Sequence, residues 1–313
     1  MITLIQLEYI VAVDTYRHFV TAADKCFVTQ PTLSMQIKKL EEQLGVLIFD
    51  RSKQPVIPTA LGKKIINQAR ITLDQSKKIE DIVETFRDVV AGDLKIGIIP
   101  SLAPYLLPLF IGEIAKKYPD LRIQVLELLS DEIMEHLRKD LIDVGLLVTP
   151  VHENDIIEKP LFYEEIKVYA NRKHEFYQEE TINIEDIAAP DIWILGQGHC
   201  FRHQVINLCS VQSKKQASLP FSYESGSIET LKKLVDTNGG FTLLPQLAID
   251  DLLMTKKSQV RPFKGIQPLR EVGLVYVRSF AKQRLINILG EAIKNAVPES
   301  MHEKGRGTVV EWR

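Results

Sequence analysis

The sequence predicts an α/β protein in three parts: an N-terminal winged helix-turn-helix, a long helix, and a two-subdomain α/β domain folded around a cleft. Three observations carry this. Two short helical patterns meet at a tight turn within the first 45 residues, about thirty proline-free residues follow Thr59, and beyond Asp93 strand-like and helix-like runs alternate.

A chain of 313 residues is too long for one ordinary core, and 45% hydrophobic with 26% charged residues reads as globular. No run approaches the ~20 apolar residues of a membrane span, and the N-terminus lacks the basic-then-apolar pattern of a secretion signal. A cytoplasmic protein without a membrane partner is expected. The three cysteines, Cys26, Cys200 and Cys209, are too few for a disulfide scaffold. Net charge is −2, yet residues 1–70 carry nine Lys/Arg against six Asp/Glu, so a small module of +3 is joined to a remainder of −5. The basic end is where a polyanion would bind.

Leu4, Leu7, Ile10 and Val11 recur at helical spacing and predict a first helix ending near Arg17. A second is expected from Thr21, read as its cap, to Phe27, with Ala22 and Ala23 small enough for a close crossing. After a turn, Thr29 is placed to cap a third helix, Pro31 suits its first turn, and Leu33, Ile37, Leu40 and Leu44 form one buried stripe ending at Gly45. The opposite face carries Gln30, Thr32, Ser34, Met35, Gln36, Lys38 and Lys39, side chains suited to base edges and phosphates in a major groove. Residues 47–51 and 52–56 read as the two strands of a wing, with Arg51 and Lys53 near the phosphate backbone. The candidate DNA-binding residues are Thr29, Gln30, Pro31, Thr32, Ser34, Gln36, Lys38, Arg51 and Lys53, and the expected partner is double-stranded promoter DNA. From Thr59 onward, Leu61, Ile65, Ala69, Leu73, Ile79, Val83 and Phe86 keep a narrow seam on a helix roughly 40 Å long. Such a seam implies pairing with a second copy, a homodimer or a homotetramer.

Further on, strands are expected at 94–99, 122–127 and 144–148 with helices between them, and a second set includes 192–195, 221–223, a helix at 228–235, 241–244 and 272–277. Alternation of this kind implies parallel sheets covered by helices. Two such lobes facing a cleft have the build of a periplasmic-binding-protein-like domain, whose ligands sit at strand ends and helix N-termini. The resulting division is 1–58 for the winged helix-turn-helix, 59–90 for the dimerisation helix and 93–300 for the regulatory domain, with subdomain I as 93–163 and 269–300 and subdomain II as 164–268. The polar segment 301–313, with Gly305 and Gly307, is expected to be a flexible tail.

The run Gly198-His199-Cys200-Phe201-Arg202 sets a thiol between two potentially cationic side chains, with Cys209 downstream. A neighbouring cation favours thiolate, the form that attacks a peroxide oxygen, and a second thiol can capture the resulting sulfenic acid. If both cysteines lie on one helix their Cα atoms are roughly 13 Å apart, whereas a disulfide tolerates about 7 Å. Oxidation would then have to rebuild the segment. Cys26, beside Phe27 in a packed helical module, reads as a core residue.

Ala22-Ala23, Thr29-Gln30-Pro31-Thr32-Leu33-Ser34, Leu40-Glu41 and Leu44-Gly45 resemble the head of a LysR-type transcriptional regulator, and the likeness extends over nearly the whole chain. Within that family, Ile99-Pro100-Ser101, Pro104 to Pro108, Gly198 to Arg202, Cys209, Ser227 to Leu231 and Gly273 to Tyr276 are similar to its hydrogen peroxide-sensing members. This resemblance implies that Cys200 is the peroxidatic cysteine and Cys209 the resolving one, with Ser101, Ser130, His199 and Arg270 around the peroxide. It also implies a cellular thiol reductant and RNA polymerase as partners, with no cofactor and no metal. Four positions depart from the pattern: serine replaces threonine at Ser101 and Ser130, His203 replaces aspartate, and Met35 stands where many recognition helices carry arginine.

Other functions fit parts of the sequence. A receptor for a small organic metabolite would use the cleft and leave the cysteines incidental. A thiol peroxidase would share the first chemical step but has no use for the head. Metal sensing through His199, Cys200, His203 and Cys209 matches no closed zinc spacing.

Overall fold

The computed structural model describes residues 1–85, 90–188, 191–209, 226–277 and 282–312. The chain divides into two units, Met1–Val89 with Ser279–Gln283, and Val90–Arg278 with Arg284–Arg313.

In the first unit, helix α1 (Leu4–Tyr16) opens with a capping box in which Thr3 and Gln6 satisfy each other's backbone amides, and closes on Arg17 in the left-handed conformation. Helix α2 (Phe19–Lys25) starts two residues earlier than expected because the His18 ring, rather than Thr21, accepts the first free amide. Helix α3 (Gln30–Leu44) has Pro31 in its first turn and Gly45 (φ +69°) as its C-cap. Thr29 occupies the N-cap position, but its hydroxyl pairs with that of Thr32 at 2.8 Å, so it does not cap through its side chain. Ile10, Val13, Ala22, Ala23, Leu33, Ile37 and Leu40 close the core between the three helices.

The wing is smaller than expected. Strands β1 (Phe49–Asp50) and β2 (Ile57–Pro58) pair antiparallel, and residues 51–56 form the turn instead of a strand. The Asp50 carboxylate accepts from both the amide and the hydroxyl of Ser52, which bends the chain directly after β1. Helix α4 (Ala60–Thr85) then runs 26 residues. The helix whose seam is expected to pair with a second copy also packs within its own chain: Ile66, Ala69 and Leu73 are buried, Ile66 and Ala69 in the head's core, and Arg70 pairs with Asp14 on α1 at 3.0 Å. The side chain of Val83 and all of Phe86 lie outside the described residues.

The second unit is built on strands β3 (Gly92–Ile98), β4 (Leu121–Glu127), β5 (Val144–Thr149), β6 (Ile156–Ala170), β7 (Phe241–Pro245), β8 (Val260–Arg261), β9 (Pro268–Val277) and β10 (Thr308–Val309). Helices α5 (Ala103–Lys117), α6 (Ser130–Arg138), α7 (Cys200–Cys209), α8 (Ile228–Asn238), α9 (Gln246–Asp250), α10 (Met254–Lys257) and α11 (Gln283–Ala296) connect or cover them. The sheet runs β4-β3-β5-β9-β6-β7, so it is mixed rather than parallel: β3 is parallel to β4 and β5, while β9 and β6 are antiparallel to their neighbours. The two long strands β6 and β9 serve both lobes, pairing with each other from Ile156↔Val277 to Glu165↔Leu269. Residues 192–195 form isolated bridges rather than a strand, Ile192 pairing with Phe241, and the strand expected at 221–223 lies outside the described residues.

The tail is not loose. β10 pairs in parallel with Pro268–Leu269 of β9, and buried Trp312 donates from Nε1 to the Val148 carbonyl at 3.0 Å. The side-chain amides of Gln204 and Asn207 on α7 donate to the carbonyls of Val310 and Glu311 at 2.7 and 2.9 Å. One large aromatic anchor and an open strand edge outweigh the two glycines that suggested disorder.

Candidate functional site, a buried thiol at the start of a helix

Gly198 turns the chain with φ +84°, and Cys200 follows as the first residue of α7, 2% exposed and outside any disulfide. The backbone amides of Cys200 and Phe201 face the sulfur, as the open end of a helix does, and favour the thiolate. Arg270, on β9, and Ser130, the first residue of α6, act in the same sense. Burial acts the other way and prevails, so the Cys200 thiol is held above its ordinary pKa in the resting state.

The cation facing the sulfur is not one of its sequence neighbours. Arg202 turns away and donates to the Leu195 carbonyl at 2.8 Å. Burial lowers the pKa of His199, which keeps it neutral near pH 7. Neither sequence neighbour supplies the cation expected beside the sulfur; the charge that acts on it is that of Arg270. This guanidinium is fully buried: its Nε donates to the Glu164 carboxylate, Nη1 donates to Ser101 Oγ at 3.2 Å, Nη2 to the Ser101 carbonyl at 3.3 Å, and its cation lies over the Phe201 ring, 5.4 Å from the centroid. Glu164 also accepts from the Leu247 amide at 2.9 Å, so both its oxygens are occupied.

Neither Ser101 nor Ser130 caps the helix that follows it. The α5 N-cap is Leu102, and at α6 the cap position is Leu129, whose amide donates to Glu132 at 2.7 Å. Ser130 Oγ is buried without a hydrogen bond of normal geometry, although it lies close enough to Cys200 to favour the thiolate. A hydroxyl buried without a partner costs on the order of 1–3 kcal/mol. The arrangement thus gathers Ser101, Ser130, Cys200 and Arg270 at one place. His199 adjoins it; its carbonyl accepts from the Arg202 amide at 3.0 Å, while its ring makes no side-chain hydrogen bond among the described residues. Cys209 ends the same helix, its side chain lying outside the described residues. Glu164 was missed in the sequence; the signal was a pair of acids, Glu164-Glu165, inside the apolar run Leu161 to Ile166. No group of three or more potential metal ligands occurs among the described residues.

The head presents Gln30, Pro31, Met35, Lys38 and Lys39 as exposed residues of α3, with Thr32, Ser34 and Gln36 half-buried. Arg51 bridges Ser34 Oγ at 3.3 Å and the buried Glu41 carboxylate at 2.9 Å, and its cation lies over the Phe19 ring. Lys53 is exposed on the wing turn.

A helix-turn-helix head joined to a two-lobed α/β domain defines a bacterial transcriptional regulator, and the comparisons agree. Residues 4–63 match the bacterial regulatory helix-turn-helix proteins of the lysR family, and residues 87–297 match the LysR substrate binding domain. The chain belongs to the LysR family of DNA-binding transcriptional regulators. It is 33% identical over 270 residues to a hydrogen peroxide-inducible genes activator of Haemophilus influenzae, covering 86% of this chain and 89% of that protein. A full-length OxyR variant of Pseudomonas aeruginosa superposes with a TM-score of 0.78 at 34% identity, covering 94% of this chain and 98% of that one. A hydrogen peroxide-bound OxyR mutant of Corynebacterium glutamicum gives a TM-score of 0.60 at 29% identity, covering 94% of each. Among the described residues no helix is long and apolar enough to cross a membrane.

Proposed function

We propose that this regulator senses hydrogen peroxide through Cys200 and is switched by a reversible disulfide between Cys200 and Cys209. The observation that carries the reading is a buried Cys200, outside any disulfide, at a helix N-terminus with Arg270 and an unpartnered Ser130 hydroxyl beside it. The relatives named for peroxide, including one holding it, share this fold across most of the chain.

The Cys200 thiolate attacks one peroxide oxygen. An S–O bond forms, the O–O bond breaks, and the departing hydroxide takes a proton to leave as water. Arg270 and the hydroxyls of Ser101 and Ser130 stabilise the charge on that leaving oxygen. Cys209 then attacks the sulfenic sulfur, forming S–S and expelling the second oxygen as water. Both cysteines lie on α7, nine residues apart, which is roughly 13 Å at the helical rise, so the second step requires the helix to unwind. Unwinding would change how regulatory domains pack in a homodimer or homotetramer and so re-space the DNA-reading heads. A cellular thiol would reduce the disulfide, the oxidised form would engage RNA polymerase at the promoter, and the protein would act in the cytoplasm. In the head, Thr29, Gln30, Pro31, Thr32, Ser34, Gln36, Lys38, Arg51 and Lys53 would meet the DNA. Exposed Leu61, Ile71 and Ile79 on α4 supply an apolar face for a second subunit.

Treating the reduced protein with one equivalent of peroxide and mapping thiols by non-reducing peptide mass spectrometry tests this. A Cys200–Cys209 disulfide is expected in wild type and a trapped Cys200 sulfenic acid in Cys209→Ser. Two thiols that stay reduced would reject the sensor reading and turn attention to a metabolite in the cleft.

A further inference from the structure

Helix α2 ends in a pair of hydrogen bonds, Val28 amide to Ala23 carbonyl at 3.1 Å and Phe27 amide to Asp24 carbonyl at 3.2 Å. This is the Schellman closure, and it places the residue after the C-cap in the left-handed region that favours glycine. Phe27 occupies that slot with φ +56°. A bulky side chain there is an outlier, which usually persists because something beyond the fold uses it. Burial does not explain it: Val28 packs on the head's core, whereas Phe27 is 96% exposed. Phe27 stands two residues before the N-cap of α3, at the end that a groove-entering helix brings to base edges. The centre of the outward face of α3, opposite buried Leu33, Ile37 and Leu40, is also apolar, because Met35 is exposed there.

We infer that Phe27 is a DNA-contacting, sequence-discriminating residue whose ring lies against a thymine methyl group beside the bases reached from α3. Phenylalanine is one of the few side chains that reads that methyl in the major groove. The inference rests on DNA binding by the family and not on peroxide sensing. The strain at Phe27 is a local loss of stability retained for recognition, a trade familiar at functional positions.

Duplexes selected from a random-sequence pool by the reduced full-length protein serve as the probe, with affinity read by fluorescence anisotropy. Phe27→Gly and Phe27→Asn both suit the left-handed slot and lose the ring. Each is expected to bind the selected duplex about 5–20-fold more weakly, in the range one lost apolar base contact supports. Phe27→Gly is also expected to raise the melting midpoint of the head by about 2–4 °C. Replacing one particular thymine by deoxyuridine should weaken wild type several-fold and leave both variants indifferent. Variants that keep wild-type affinity and preference overturn the inference. So does a loss of affinity equal on every duplex and blind to the methyl group, which would mark a backbone contact.

Discussion

The head and the regulatory unit each bury one carboxylate that receives a backbone amide and an arginine, yet the two arrangements do different work. Glu41 accepts from the amides of Ile48 and Phe49 at 2.8 and 3.3 Å and from Arg51, whose side chain is 38% exposed. Glu164 accepts from the Leu247 amide and from Arg270, whose side chain is wholly buried. The first pair fixes a wing on the surface and leaves its cation within reach of a phosphate. In the second, the cation is confined inside the protein, where beyond Glu164 it meets Ser101, Phe201 and the Cys200 thiol. The same chemistry thus gives an anchor in one unit and a preset electrostatic site in the other.

Removing each carboxylate should break the comparison most visibly. Glu164→Gln leaves a buried guanidinium without its counter-charge and is expected to cost about 3–5 kcal/mol in chemical denaturation. Glu41→Gln should cost only about 1–2 kcal/mol, since Arg51 can turn to solvent. Equal losses would show that the exposure of the arginine does not matter. Trp312→Ala tests the tail on the same scale, with an expected loss of about 3–5 kcal/mol for a buried aromatic.

Rates separate the units next. Arg270→Met removes a charge that lowers the pKa of a thiol already pushed up by burial, so Cys200 oxidation at pH 7 should slow roughly 100-fold, a value typical of one lost electrostatic stabiliser. Stopped-flow oxidation of Cys209→Ser, with and without Arg270→Met, reads this directly. Because the folded pKa of Cys200 is raised, the thiolate fraction and the rate should climb about tenfold per pH unit from 6 to 8. The sign for stability is opposite: the folded state holds the proton more tightly, so the contribution is intact below the unfolded thiol value near 8.5 and is lost as pH rises through the folded one. Ser130→Ala should not weaken folding and is expected to stabilise it by up to about 1 kcal/mol, because it removes a buried hydroxyl that has no partner, while slowing oxidation several-fold.

The sequence makes the head nearly legible, because Pro31, Gly45 and the stripe Leu33-Ile37-Leu40 each act through local geometry. It misleads where the cause lies far along the chain. Arg202 is two residues from Cys200 and points elsewhere, whereas Arg270 arrives from β9 and is aimed by Glu164 on β6. No local pattern encodes that pairing, which depends on the register of two antiparallel strands. Pro160 and the charged pair Glu164-Glu165 hid β6 for the same reason. In the tail, Gly305 and Gly307 suggest disorder, whereas Met301 and Trp312 fill core sites and hold it in place.

Hydrogen exchange across α7, before and after one equivalent of peroxide, tests the central claim most directly. If Cys200 and Cys209 join, the amides of residues 204–208 must lose their helical protection together with disulfide formation. Full oxidation of both thiols with α7 still protected would contradict the account, because nine intervening helical steps of ~1.5 Å leave the sulfurs too far apart to bond.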